Sequence, residues 1–435
     1  MTEEKQTRFN EIAQKHGDPW IWGIYLALIV ISIVESYSAS SREVASSANI
    51  YAPVIKQCAF LGIGALLVFF LHRIDYNKSE FLMVMIPGLA IVTITLLIYV
   101  MFFGDVINGA RRSMRILGFT IQPSELAKLS IVTLLSYILA KSQKNRDVSN
   151  KGMIAAAIAV MVYGGTMIKS GMTNTIILMA ISVSMLLIGG AKLKKIAILL
   201  CVYGVLGGGF YVIKEHNKKI DAAFNTENVD NNSKDKLDRT KMRVGRLTAW
   251  RTRDSLVYKP ITDYNQQEMF SRMAQAHGGW HGVGPGRSRE CSRLPLAFSD
   301  YIYSIIIEEL GLVGGIFLLI LYLWLLARSA MIVRRSKRVL PSLLIIGMAA
   351  MITIQALFHM AINVGVFPVS GQPLPLISMG GTSIIVMSVA FGIMLSVSRT
   401  IANYNNRNNK QEEAILPEGL DAENPTQILP KNVWK

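Results

Sequence analysis

The sequence predicts an all-α polytopic membrane protein with about ten transmembrane helices and one large extracytoplasmic segment between helices 7 and 8. Three observations point there. The 435 residues are 51% hydrophobic and only 17% charged, too few charges for a soluble chain of this length. Apolar runs near the ~20 residues a bilayer core demands recur along the chain. Lys and Arg gather in alternate short connections between those runs.

The spans are expected over 20–38, 52–71, 81–103, 124–140, 152–168, 172–190, 195–213, 301–327, 341–362 and 381–399. The first begins after a segment carrying Glu3, Glu4, Glu11 and Asp18, a poor leader for a cleaved signal, so Ile21 to Val34 reads as a retained span. One set of connections holds Arg73 and Lys78; Lys141, Lys144, Arg146 and Lys151; Lys192, Lys194 and Lys195; and Arg328, Arg334, Arg335, Lys337 and Arg338. The opposite set is poorer, so both termini are expected in the cytoplasm and residues 214–299 outside. The division is then a cytoplasmic tail (1–19), a transmembrane domain (20–399) and a polar, Asn-rich cytoplasmic tail (400–435) expected to be disordered.

The net charge of +16 sits in these short connections, which does not suit nucleic-acid binding. Cys58 and Cys201 fall in apolar runs and Cys291 in the long segment, with no zinc or disulfide spacing.

Arg111, Arg112 and Arg115 break the charge trend on the outer side. They suit helix capping and headgroup contact, or a basic patch for an anionic headgroup. In the long segment, 239–251 interleaves basic and apolar residues. It reads as a helix on a membrane surface, or as one whose Arg243 and Arg246 reach a phosphate. The run Ala276 to Arg289 is rich in glycine and ends near Arg287; its backbone N–H groups can form an anion-binding nest. It is no nucleotide fingerprint, since no strand precedes it. His277 and His281 are four residues apart, but the glycines speak against a helix there and so against a metal pair.

Asp300 closes this segment and opens a strongly apolar helix. A carboxylate there suits a base for a lipid-linked anionic substrate, and equally a helix cap, a role Ser299 can also take. Ser304 and Glu308 follow at i+4 and i+8 on the same face, with Glu309 beside them. Glu125 and Lys128, spaced i, i+3 within a span, suit a structural polar network as well as substrate binding. The apolar run Phe367 to Ser383 contains three prolines and three glycines, including Ser378, Gly380 and Gly381. Irregular backbone at membrane depth must be buried in protein or line a cavity, so this is a candidate re-entrant wall.

These segments together resemble the SEDS (FtsW/RodA/SpoVE) family of shape, elongation, division and sporulation proteins. The resemblance rests on Gly17-Asp18-Pro19-Trp20 through Ser40, and on Asn108 to Arg112 with Gln122 to Lys128. It continues through Leu294-Pro295 with Ser299-Asp300, Glu308 to Gly311, Gln355, Asn363, and Pro368 to Ser383. It implies ten spans and a peptidoglycan glycosyltransferase that polymerises lipid II beside a class B penicillin-binding protein. Asp300 matches the family's catalytic Asp. Substrate contacts are expected from Arg111, Arg112, Glu125, Lys128, Arg243, Arg246, Arg287, Ser378, Gly380 and Gly381. Either no cofactor or a divalent cation (Mg or Mn) is expected.

The look of Gly17 to Ser40 favours the division branch over elongation, and with it divisome partners and the septal membrane. Competing readings are a lipid II flippase, a secondary transporter and a non-catalytic scaffold. No internal repeat supports the transporter. Three departures stand out. Ser170 to Asn174 replaces the family's Pro-Asp-Leu-Gly-Thr, Leu296 to Ser299 replaces Glu-Ala-His-Thr, and Met379 stands where Tyr is usual.

Overall fold

The computed structural model describes residues 11–39, 51–74, 79–107, 110–116, 119–144, 147–168, 171–204, 250, 261, 265–294, 296–336 and 338–415. The chain forms helices α1 (Pro19–Ala39), α2 (Ala52–Leu71), α3 (Ser79–Phe103), α4 (Pro123–Ser142), α5 (Asn150–Ile168) and α6 (Met172–Ile188). A further helical stretch covers 193–204. Then come α7 (Gln266–Gly278), α8 (Ile302–Arg334), α9 (Val339–Asn363) and α10 (Gly381–Ile415). Among the described residues eight helices are long and apolar enough to cross a membrane, and α6 is a shorter apolar helix. These match nine of the ten expected spans, and 193–204 covers the described part of the tenth.

Helices α4, α9 and α10 are buried along most of their length and form the centre, while α2 and α3 leave most of their surface open. Lipid tails are as apolar as leucine, so association rests on close packing rather than on hydrophobic exclusion. Small residues supply it. Gly64 of α2 lies against Ser388 of α10, Gly392 of α10 against Leu71 of α2, and Gly347 of α9 against Met185 of α6. At the end carrying both described termini, Asp18 is clasped from two sides. Arg328 of α8 donates from Nε (3.0 Å) and Nη2 (2.6 Å) to Asp18 Oδ2, and the Asp18 N–H meets Ser398 Oγ of α10 at 3.0 Å.

Helix α10 runs past the expected boundary at 399, through the first part of the supposed disordered tail, to Ile415. Its asparagines explain the extension. Asn403 and Asn406 donate to Gln14, and Asn405 to the Arg335 carbonyl (2.9 Å).

Two connections are stranded. The α3–α4 connection is an antiparallel meander of β1 (Asp105–Ile107), β2 (Ala110–Ile116) and β3 (Phe119–Ile121). Between α4 and α5, β4 (Gln143–Lys144) pairs with β5 (Asp147–Val148). Asp147 meets Lys195 at 3.1 Å and Lys192 at 3.3 Å. Desolvation opposes its charged form, yet the hydrogen bonds from Lys195, Lys192 and the Val148 N–H prevail and hold its carboxyl below the usual range.

Helix α8 breaks at Gly311 (φ 73°). A broken helix at membrane depth strands its backbone groups unless protein satisfies them. The glycine-rich run does this. The N–H groups of Val283 and Gly284 donate to the Glu308 and Glu309 carbonyls, each at 2.9 Å. In return the Leu312 N–H donates to Gly279 O at 2.9 Å, and the Val313 N–H to Trp280 O at 3.4 Å. The run therefore does not form the anion nest suggested by its composition, because α8 uses its donors. A Cβ on Gly282 (φ 76°) would strike the Glu309 carbonyl. Gly282→Ala is expected to destabilise the protein by roughly 2–4 kcal/mol, seen as a lower unfolding midpoint in detergent. Gly23→Ala, with nothing within 4 Å of the new methyl, should leave it unchanged.

Candidate functional site

Asp300 lies in a half-buried turn ahead of α8. Its N–H donates to Leu296 O at 2.9 Å. The residue at the N-cap position of α8 is Tyr301, whose side chain makes no capping bond, so Asp300 stands one position ahead of the cap. Its carboxylate accepts from Ser299 Oγ at 3.0 Å. A Cβ on Gly371 would sit 2.8 Å from Asp300 Oδ2, so the missing side chain of Gly371 makes room for the carboxylate.

The turn is fixed by Asn363, at the end of α9. Its Nδ2 donates to Asp300 O (3.1 Å) and His359 O (2.9 Å). Its Oδ1 accepts from the N–H (3.2 Å) and Oγ (2.9 Å) of Ser304. Ser271 and Gln275 of α7 donate to its own carbonyl at 2.9 and 2.8 Å. Ser304 thus serves the site through Asn363. The expected common face with Asp300 does not exist as a helical face, because Asp300 precedes the helix. Glu308 is buried and accepts from Ser288 Oγ and the Arg289 N–H (3.0 Å), which anchors the 282–294 loop. Glu309 accepts from Ser38 Oγ of α1.

The irregular segment between α9 and α10 is buried as expected over most of 372–378. Its carbonyls are taken up one by one. His359 Nδ1 donates to Gln372 O (2.6 Å), Gln355 Nε2 to Pro373 O (3.1 Å), and the Tyr322 phenolic hydroxyl to Pro375 O (2.6 Å). Ser378 Oγ donates to Ser299 O at 2.6 Å and accepts the Leu374 N–H at 2.7 Å. The Met379 N–H donates to Phe298 O at 3.0 Å. The segment is thereby sewn to the Asp300 turn.

Glu125 and Lys128 do pair, with Lys128 Nζ 2.7 Å from Glu125 Oε1 and 2.6 Å from Gln355 Oε1. Their side chains are 1% and 0% exposed. In this structure their charges are used by each other and by Gln355, which holds Pro373. Ser378, 1% exposed, likewise uses its hydroxyl on the Ser299 carbonyl and the Leu374 N–H. Gly380 and Gly381 are half-buried at the start of α10.

Arg287 is exposed in the glycine-rich loop. Arg111 and Arg112 lie on strand β2, not at a helix end. Arg243 and Arg246 lie outside the described residues, as do Lys169 and Ser170. Of the 239–251 stretch Trp250 is described, and its Nε1 donates to Gly365 O at 3.1 Å. At the start of α6, Asn174 donates to Ser124 Oγ at 3.3 Å, beside Glu125. His277 does lie in a helix, the last turn of α7, contrary to the reading of its glycine neighbours; its Nδ1 is 3.6 Å from both Glu290 and Glu308. The sequence reading missed Gly371 as the neighbour of Asp300 and Thr382 as a tie to the meander.

Buried polar side chains facing inward, a re-entrant wall and one half-buried carboxylate define a multi-pass membrane protein built around a polar site. The FtsW/RodA/SpoVE family, described as "Cell cycle protein", matches residues 19–403, and the chain belongs to it. It is 28% identical over 384 residues to stage V sporulation protein E of Bacillus subtilis, covering 86% of this chain and 95% of that protein. It is 28% identical over 384 residues to a probable peptidoglycan glycosyltransferase FtsW of Trichlorobacter lovleyi, covering 86% and 91%. The fold is similar to the rod shape determining protein RodA of Thermus thermophilus (TM-score 0.58, 21% identity, 87% of this chain and 95% of that one). It is also similar to a chain from a peptidoglycan synthase complex that coordinates polymerization and crosslinking (TM-score 0.60, 21% identity, 88% and 97%).

Removing one member of a buried ion pair strands the other charge, at a cost of about 3–5 kcal/mol. Lys128→Met is therefore expected to lower the unfolding midpoint sharply, and Glu125→Leu combined with Lys128→Met to recover much of the loss. A double variant as unstable as the single one would show that the pair itself is not what Lys128 contributes.

Proposed function

We propose that this chain is a peptidoglycan glycosyltransferase that polymerises lipid II during septal wall synthesis. The observation that carries the reading is the placement of Asp300. It lies half-buried one position ahead of the N-cap of α8, framed by Ser299, Gly371 and the Asn363-held turn. The similarity to probable peptidoglycan glycosyltransferases of the FtsW type supports the same reading.

A sugar hydroxyl is a poor nucleophile at neutral pH. Asp300 would take the proton of the acceptor's 4-hydroxyl as that oxygen attacks the anomeric carbon of the donor glycan. The bond from that carbon to the lipid diphosphate then breaks, and the diphosphate leaves with the electron pair. A positioned base contributes roughly 10²–10⁴-fold to such a step. The leaving group gathers negative charge, for which Arg111, Arg112, Arg243, Arg246 and Arg287 are the cationic candidates. A divalent cation (Mg or Mn) held by the diphosphate itself would supply the same neutralisation; among the described residues no group of three or more His, Cys, Asp or Glu side chains is arranged to hold one.

In this reading the Asp300 end faces outward and both termini are cytoplasmic, in the bacterial inner membrane at the septum. A class B penicillin-binding protein would crosslink the glycan, alongside divisome membrane proteins.

Asp300→Asn is expected to reduce polymerisation of fluorescent lipid II by at least about 10²-fold at unchanged expression. Near-normal activity would remove Asp300 as the base. A wild-type chain that moves labelled lipid II across vesicles without lengthening glycan would instead identify a flippase. Depletion in cells should give filaments; spheres would assign the chain to elongation.

A further inference from the structure

Helix α10 begins beside the Asp300 turn with unused donors. Its first intrahelical bond runs from the Ile384 N–H to Gly380 O (2.9 Å). The N–H groups of Gly381, Thr382 and Ser383 precede it, and no hydrogen bond among the described residues takes them up. A helix start concentrates positive potential and favours phosphate oxygens.

A second observation points the same way. Ser383 is 4% exposed, and its Oγ has no hydrogen-bond partner. Side chains in a helix lean toward its N-terminus, so this hydroxyl leans toward the free N–H groups. Ser383 Cβ lies 3.6 Å from where a Cβ on Gly380 would stand. Gly380 leaves the backbone open to close approach, while the Phe60 ring of α2 packs on Gly381 and walls the other side. A buried hydroxyl without a partner is a cost to folding that a bound acceptor would relieve.

The surroundings suit a polyanion. Thr382 Oγ1 accepts the Gln122 N–H (3.2 Å) and donates to Thr120 O (3.0 Å), which docks the end of β3 on α10. Thr120 pairs in the β2–β3 register with Arg115, whose Nε lies 3.6 Å from Asp105 Oδ2, and β2 also carries Arg111 and Arg112. On the other side, Ser378 and Met379 bond directly to the Asp300 turn.

We propose that the start of α10, through the Gly381, Thr382 and Ser383 N–H groups and Ser383 Oγ, binds the diphosphate of the lipid-linked substrate. The identity of that substrate rests on the glycosyltransferase reading. The anion site itself does not. Half-buried Gly380 would admit the diphosphate, and the bonds from Ser378 and Met379 to the Asp300 turn keep that entry beside the turn that carries the base.

The test uses the full chain in nanodiscs and inorganic pyrophosphate as the probe, followed by calorimetry and ³¹P line broadening. Saturable binding to the wild type is expected, weakened about 10-fold by Ser383→Ala. The same variant, relieved of an unpartnered buried hydroxyl, should unfold at an equal or higher temperature. Asp300→Asn should bind pyrophosphate as the wild type does. No saturable binding, or affinity within twofold of wild type in Ser383→Ala, overturns the site. Ser383-dependent binding by a chain that makes no glycan keeps the site and removes the glycosyltransferase reading. Glycan synthesis with Ser383→Ala unchanged in both pyrophosphate affinity and KM for lipid II removes the site alone.

Discussion

A stretch of non-helical backbone lies inside an apolar bundle, and the rest of the architecture depends on satisfying its polar groups. Between α9 and α10, prolines and glycines prevent the chain from bonding to itself. Each stranded carbonyl would cost several kcal/mol in a lipid environment. The neighbouring helices meet that demand with His359, Gln355, Tyr322 and Ser378. Gln355 is fixed in turn by Lys128, and Lys128 is neutralised by Glu125. A buried ion pair is weak as a source of stability. Here it orients an amide that holds a loop, and that loop frames Asp300.

The break in α8 solves the same problem by a different route. Gly311 interrupts the helix, and the glycine-rich loop exchanges backbone hydrogen bonds across the gap. Side chains satisfy one irregular segment and backbone satisfies the other. Between them the Asp300 turn is held from α7, α8 and α9 at once, with Asn363 at the junction.

Much of this was legible in the sequence, and the gaps have physical causes. Span positions follow from apolar length, and nine appear where hydropathy places them. The buried irregular wall follows from prolines in an apolar run. Asp300 was legible as a carboxylate at a helix start, but its place one position ahead of the cap was not, because cap geometry depends on the dihedral angles of Tyr301. Glu125 and Lys128 were seen as a pair. Their burial depends on Gln355, 227 residues from Lys128, and no local pattern reports such a contact. The glycine-rich run suggested a ligand cradle because glycine signals close approach without naming what approaches, which here is α8 itself. The meander was missed because its strands are only 3, 7 and 3 residues long and leave little periodicity to read.

The clasp on Asp18 has a consequence for biosynthesis. Its partners lie 310 and 380 residues downstream. At ribosomal rates of about 5–20 residues per second, Arg328 emerges roughly 15–60 seconds after Asp18. During that interval the first helix is already in the bilayer with an unneutralised carboxylate near its entry point. Something must shield that charge until translation nears completion, whether water at the headgroups or the insertion machinery. The order in which the bundle closes is thereby tied to the last helices made, so a truncated chain would leave its first helix without a latch.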